Sequence, residues 1–185
     1  MLWNRQRHST WKGLVAGAIG GAVASFAMNQ FQAGMSKLFE APAPSPPRRN
    51  GGRAEPPNQQ RQTSEEAANV KAAVAVSEAV FHHPLAPEEK EWAGQLVHYG
   101  YGTAAGALYG AAAEHWEDVR FGQGAAFGAA LWAISDEVAV PVFHLSKGPQ
   151  EYSIRTHAMA LASHLVYSVT TELARRLLRS GVLSR

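Results

Sequence analysis

The chain has 185 residues, a formal net charge of +2 with histidines neutral, 46% hydrophobic and 17% charged residues, and no cysteine. Its length suits one domain, and its small net charge supplies no broad basic field for nucleic acid. The missing thiol excludes disulfides, thiolate metal sites and cysteine nucleophiles.

The charges are spread unevenly. Residues 13–36 carry no Asp, Glu, Lys or Arg. A helix crossing the ~30 Å hydrocarbon layer needs about 20 apolar residues, so this stretch is long enough to span. Trp11 and Lys12 stand before it, where aromatic and basic side chains favour the interface. Gly17, Gly21, Ser25 and Asn29 recur in steps of four and form a small, polar face. The basic start and the "APA" at residues 41–43 also fit a cleaved signal peptide. The run is long for that purpose, and Asn29, Gln30 and Gln32 interrupt its end, so a retained first span is the expectation.

Residues 37–91 are different material. The segment "APAPSPPRRNGGRAEPPNQQRQ" (41–62) is rich in Pro, Gly, Gln and Arg and reads as a disordered linker. Next comes an amphipathic helix from about Thr63, where Thr63 and Glu66 have capping-box spacing. Pro84 and Pro87 end it, and Pro87-Glu88 opens the next helix. Its expected place is the membrane surface or the rim of the bundle. The adjacent His82 and His83 read as a solvated turn, since no third metal ligand has a defined spacing to them.

Residues 92–113 are again free of charge. His98, Gly102, Gly106 and Gly110 line one side in steps of four. The short link "EHWEDVR" (114–120) predicts that this span and the next run as an antiparallel pair. Residues 121–146 carry only Asp136 and Glu137. Gly124, Gly128 and Trp132 lead in steps of four to Asp136, which should therefore face the bundle interior, not lipid. Glu137, rotated about 100° away, shares its side with His144. An acid at mid-span costs about 2.5 to 3.5 kcal/mol on insertion scales and calls for a partner. His164 is the first expectation, with Asn29, His98 and Tyr101 behind it. The pairing could serve only to fix helix register, or it could form an ionisable pathway or binding site.

Residues 156–171 are uncharged, and their apolar pattern continues to about residue 178. Glu172 has Arg176 four residues on, which reads as an exposed helical pair. The expected architecture is all-α: a four-helix transmembrane bundle with a disordered linker and one amphipathic helix between spans one and two. Its divisions are 1–36 (N-terminal tail and first span), 37–91 (linker and amphipathic helix), 92–179 (three-helix region) and 180–185 (tail). Small residues let membrane helices approach closely, so Gly17, Gly21, Gly102, Gly106, Gly110, Gly124 and Gly128 are the expected packing positions. Arg5, Arg7 and Lys12 in one tail and Arg175, Arg176, Arg179 and Arg185 in the other place both termini in the cytoplasm by the positive-inside rule. Lys37, Arg48, Arg49 and Arg53 in the opposing loop pull the other way.

The chain has no P-loop, dinucleotide fingerprint, HExxH or GxSxG motif, so no enzyme activity, catalytic residue, metal or cofactor is assigned. The expected partners are the lipid bilayer and a second copy or another membrane protein, and not nucleic acid. Three functional readings remain open: a non-enzymatic membrane protein, a small transporter or channel component moving protons or cations through Asp136, Glu137, His98 and His164, and a structural subunit joined through its glycine faces.

The stretches "LVHYGYGTAAGALYG", "GQGAAFGAALWAISDEVAVPVF" and "HAMALASHLVYSVTTELARRLLR" resemble the YagU-like family of small bacterial inner-membrane proteins. The likeness rests on His98, Tyr99, Gly102, Gly106, Tyr109 and Gly110, then on Gly124, Gly128, Trp132, Asp136, Glu137 and Pro141, then on His164. "WKGLVAGAIGGAVASFAMNQFQ" is similar to that family's first helix. The resemblance implies an integral inner-membrane protein and, through one family member, a link to acid resistance. It implies no catalytic residues.

Overall fold

The structure, a computed structural model, describes residues 9–39, 67–181 and 183. The expected linker at 41–62 and the capping box at Thr63–Glu66 lie outside the described residues. Among those described, all regular structure is helical. α1 is Thr10–Phe39. α2 is Ala68–Val76, extended by the wider π turns of Ser77–Phe81 and ended by His82 in the left-handed conformation (φ 52°). α3 is Pro87–Ala112; proline occupies its first turn, and the Glu89 carboxylate accepts the Ala86 N–H at 2.9 Å. A 3₁₀ segment, Glu117–Gly124, leads into α4, which comprises Ala125–Trp132, a π segment Ala133–Ala139 and a last turn Val140–Val142. α5 is Ile154–Ser180, and the Ser153 hydroxyl caps it by accepting the Thr156 N–H at 3.2 Å.

Two stretches are long and apolar enough to cross a membrane by length and composition, Thr10–Leu38 and Glu117–Val142. α3 and α5 have the length, but their Gly, Ser, Thr and His residues and the charged ends of both helices reduce their mean hydropathy.

α1 is the axis. α3 packs along one side of it and α5 along the other, α4 lies on α5, and α2 covers the first turns of α3. The α1–α3 crossing is antiparallel and nearly backbone to backbone. A Cβ added at Gly13, Gly17 or Gly21 would come within 2.4, 2.1 or 2.3 Å of the carbonyl oxygens of Gly110, Gly106 and Gly102. No residue but glycine fits at that separation without moving a helix. On the opposite side, Gly20 meets the Thr171 backbone, and Gly128 of α4 meets Ser168 and the His164 carbonyl.

Three features differ from the sequence expectations. Gly124 is not inside a helix; it caps α4 with φ 87°, still pressed against the Ser168 carbonyl and the Tyr109 hydroxyl. The third stretch is not one uniform helix. Pro141 has no N–H to give and its ring crowds the carbonyl four residues earlier, and the widened turns at 133–139 accommodate both defects. α3 and α4 run antiparallel, but α4 has its main packing against α5. α3 and α4 meet through side chains, with the Tyr109 and Phe127 rings 4.6 Å apart and Tyr101 Oη 2.6 Å from Ser135 Oγ. The glycine face of α3 is already occupied by α1, which leaves a gap on the α4 side.

The interior is polar and the exterior apolar. The largest fully buried side chains are Tyr109, Glu172, Thr171, Ser25, Ser163 and Ser168, and most buried hydrophobics are alanines. Leu14, Ile19, Phe26, Leu108, Ile134, Val138 and Leu177 all point outward. A water-soluble bundle sorts its side chains the other way.

Candidate functional site

The gap between α3 and α4 is a cavity of about 620 Å³ whose wall includes Asn29, His98, Tyr101, Ser135, Asp136 and His164. It lies in the half of the bundle away from the described N-terminal end. α2 contributes Ala68, Asn69 and Ala72 at one edge, and its Val70 packs on Gly94 of α3.

Each polar wall residue has a traceable setting. His164 is nearly buried, and its Nδ1 donates to the Ala160 carbonyl at 3.0 Å, since a carbonyl can only accept. The Asp136 carboxylate is 3.7 Å from that same nitrogen, too long for a hydrogen bond but close enough to attract the imidazole when it carries a second proton. The Nε2 atom of His98 is buried with no hydrogen-bond partner among the described residues. Asn29 donates to Gln95 Oε1 and to Tyr99 Oη, both at 3.4 Å. Asp136, His98, His164 and Asn29 thus come together around one cavity.

Glu137 stands apart from them. Its partner is not His144, which sits in a left-handed turn (φ 55°) beyond α4. Glu137 Oε1 is 2.6 Å from Nδ1 of His157 on α5, and His157 Nε2 is 3.0 Å from the Pro149 carbonyl. Because that carbonyl can only accept, Nε2 carries a hydrogen. The short contact at Nδ1 then requires a second proton between imidazole and carboxylate. Glu137 and His157 therefore share one proton. They line a cavity of about 230 Å³ that also reaches Asp136.

A second polar cluster, at the opposite end, was not legible in the sequence. Glu172, expected on the surface, is wholly buried. It accepts from Tyr109 Oη (2.9 Å), from Arg175 (2.7 and 3.0 Å) and from Arg176 (2.5 Å). Glu114, just beyond α3, accepts two bonds from Arg179 at 2.7 Å, one from Arg175 at 3.5 Å and one from the Ser9 N–H at 3.3 Å. Burial pushes the Glu114 carboxyl up, but the Arg179 hydrogen bonds, the Ser9 N–H and the two arginine charges outweigh it and hold it below its ordinary range. The available signal was the spacing of Glu172, Arg175, Arg176 and Arg179 beside an acid that ends an uncharged run. Tyr167 was missed as well; its hydroxyl donates to the Gly102 carbonyl at 2.5 Å and ties α5 to the α1–α3 crossing.

Among the described residues, no group of three or more His, Asp and Glu side chains is placed to hold a metal ion. No curated protein and no solved structure matches the chain. A family model described as "Protein of unknown function (DUF1440)" matches residues 32–173. That range includes His98, Asp136, Glu137, His157 and His164, and it leaves Gly13, Gly17 and Gly21 of the α1–α3 crossing outside. With most of its length covered by this model, the chain belongs to the DUF1440 family.

Proposed function

We propose that the chain is a four-span integral membrane protein of the bacterial inner membrane, with both termini cytoplasmic, and that its polar cavity takes up and releases protons. The observation that carries this is the inverted sorting of side chains, with Ser, Thr, Tyr, Glu and Arg inside and Leu, Ile, Val and Phe outside. Lipid tails solvate the apolar exterior, and an interior of small and hydrogen-bonded residues holds spans together where hydrophobic contrast cannot. α5 turns Ser163, His164, Ser168, Thr171, Glu172, Arg175 and Arg179 inward, and α3 buries a face of Gly, Ala and Tyr109, which supports counting both as spans despite their lower hydropathy.

Intramembrane acids and histidines mark ion or proton paths in such proteins. Here Asp136–His164 and the proton shared by Glu137 and His157 sit at adjoining cavities. Four spans leave little room for a conduit through one chain, so this reading is of proton binding and pH-dependent packing, with conduction requiring a second copy. The resemblance to YagU-like proteins agrees with a place in envelope or acid-stress physiology. The rival reading, a subunit joined through its glycine faces, has less support, because those glycines meet one another within a single chain.

The test is reconstitution in nanodiscs and liposomes across pH 5 to 8. Wild type is expected to show a pH-dependent transition in thermal stability, or a proton flux, that Asp136→Asn and His164→Ala remove while both variants remain folded. Variants that merely lose stability, with no pH response and no flux in any protein, sink the proton-handling reading and leave the pair as a register device.

A further inference from the structure

The cluster of arginines at the other end of the bundle opens onto a pocket of about 430 Å³. Its floor is neutralised: Arg175 and Arg179 hold Glu114, and Arg175 and Arg176 hold Glu172. Its wall is not. Arg176 uses only Nε on Glu172, so among the described residues its two terminal amino groups carry no protein bond, and the side chain is half exposed. Among the described residues Arg120 reaches only Glu117, at 3.2 Å, and that carboxylate is 92% exposed to the surroundings. Among the described residues, Arg120 and Arg176 are the arginines that keep guanidinium nitrogens at the pocket unengaged by a buried carboxylate. Trp116 lines the mouth, and Phe121 and Leu177 lie on the neighbouring exposed apolar surface of the 3₁₀ segment and α5.

We propose that this pocket binds the phosphate of an anionic phospholipid, with Arg120 and Arg176 as its ligands. The inference rests on the membrane reading above, which places the ends of α3 and α5 at the headgroup level. Guanidinium groups present a planar fork that matches phosphate oxygens. An anion here meets the guanidinium nitrogens that Arg176 and Arg120 present at the mouth. Trp116, Phe121 and Leu177 continue the apolar exterior beside it, so acyl chains attached to the phosphate lie along a surface that already faces lipid. Basic pockets between spans on the cytoplasmic side are the setting in which anionic headgroups are recognised.

The full chain, purified in an uncharged detergent, is titrated with phosphatidylglycerol or phosphatidylcholine, and bound lipid is counted by native mass spectrometry. Wild type is expected to retain phosphatidylglycerol in preference to phosphatidylcholine. Each of Arg120→Gln and Arg176→Gln should weaken retention about fivefold, and the double variant about 25-fold. Arg176→Lys, which keeps the charge and loses the fork, should fall between. Arg155→Gln, at the opposite end of α5, should change nothing. Arg120→Gln alone carries the test if the double variant does not fold, because Arg120 lies outside the buried cluster. Equal retention of the two lipids, or equal retention by wild type and Arg120→Gln, overturns the proposal. So does inorganic phosphate that displaces phosphatidylglycerol at low millimolar concentration where chloride of equal ionic strength does not, since the pocket is then a free-phosphate site. Alkaline carbonate extraction of membranes tests the spanning reading separately. A chain released by carbonate removes that reading whatever the lipid titration gives.

Discussion

Glu114 is where the acid limit of this protein should show. Its carboxylate takes four hydrogen bonds from Arg179, Arg175 and the start of α1, so it joins three helices at one end of the bundle. Its folded carboxyl titrates below the ordinary value of about 4.3. The stabilisation it provides is therefore complete above that ordinary value and is lost as pH falls through the lower folded one. Glu114→Gln is expected to destabilise the protein by roughly 3 kcal/mol at pH 7, because it leaves buried arginine charge without its counter-ion. The gap between variant and wild type should narrow below about pH 4. Melting curves in detergent from pH 7 to pH 3 measure this, and a gap that stays constant over that range counts against the assignment. The Asp136–His164 approach was legible in the sequence because steps of four on two uncharged helices put both residues on inward faces. Glu137–His157 was not, since it depends on how residues 143–153 fold back and on the Pro149 carbonyl that fixes the His157 tautomer. Glu172 was misread through a rule for water-soluble helices, in which a charged i,i+4 pair faces solvent.

At the level of elements, the α1–α3 crossing is set by backbone contact, and its glycines are not equivalent. A Cβ on Gly106 would lie 2.5 Å from the Gly17 carbonyl oxygen and 2.7 Å from the Gly21 Cα, both backbone atoms that cannot turn aside. A Cβ on Gly100 of the same helix meets nothing within 4 Å. Gly106→Ala should therefore force the helices apart and destabilise by about 1 to 3 kcal/mol, the usual range for overpacking. Gly100→Ala should be neutral or stabilise by up to about 1 kcal/mol through helix propensity alone. Thermal melts of the two variants beside wild type decide the matter, and equal effects contradict the crossing. The glycine repeats were readable from the sequence because contact at a helix crossing recurs every fourth residue. The π turns at 133–139 were not, because Pro141 signals a backbone defect without saying how the chain absorbs it. The seating of α4 on α5 was hidden for a different reason: a short link fixes that α3 and α4 are antiparallel, but not which helix each one touches.

For the whole molecule, the proposed membrane topology predicts on which side of a bilayer each helix end lies, and a chain without cysteine is ready for the test. Single cysteines at Ser36, Glu117 and Gln150, all exposed, report the ends of α1, the α3–α4 link and the α4–α5 link. With four spans and cytoplasmic termini, an impermeant maleimide applied to spheroplasts should label positions 36 and 150 and spare 117 until the membrane is opened. If only α1 and α4 cross, position 117 is labelled with 36, and 150 is protected. Either pattern is read directly from a gel shift. The central place of α1 also bears on how the protein is made. α1 precedes both helices that cover it, α3 and α5, and α4 precedes the α5 surface on which it rests. The nascent chain therefore holds α1 bare until α3 arrives, and then holds α4 with only side-chain contacts until α5 is made. Completion of α5 is the step that converts loosely joined helices into one body, and a chain stopped before it leaves α4 without its main packing surface and open to proteolysis.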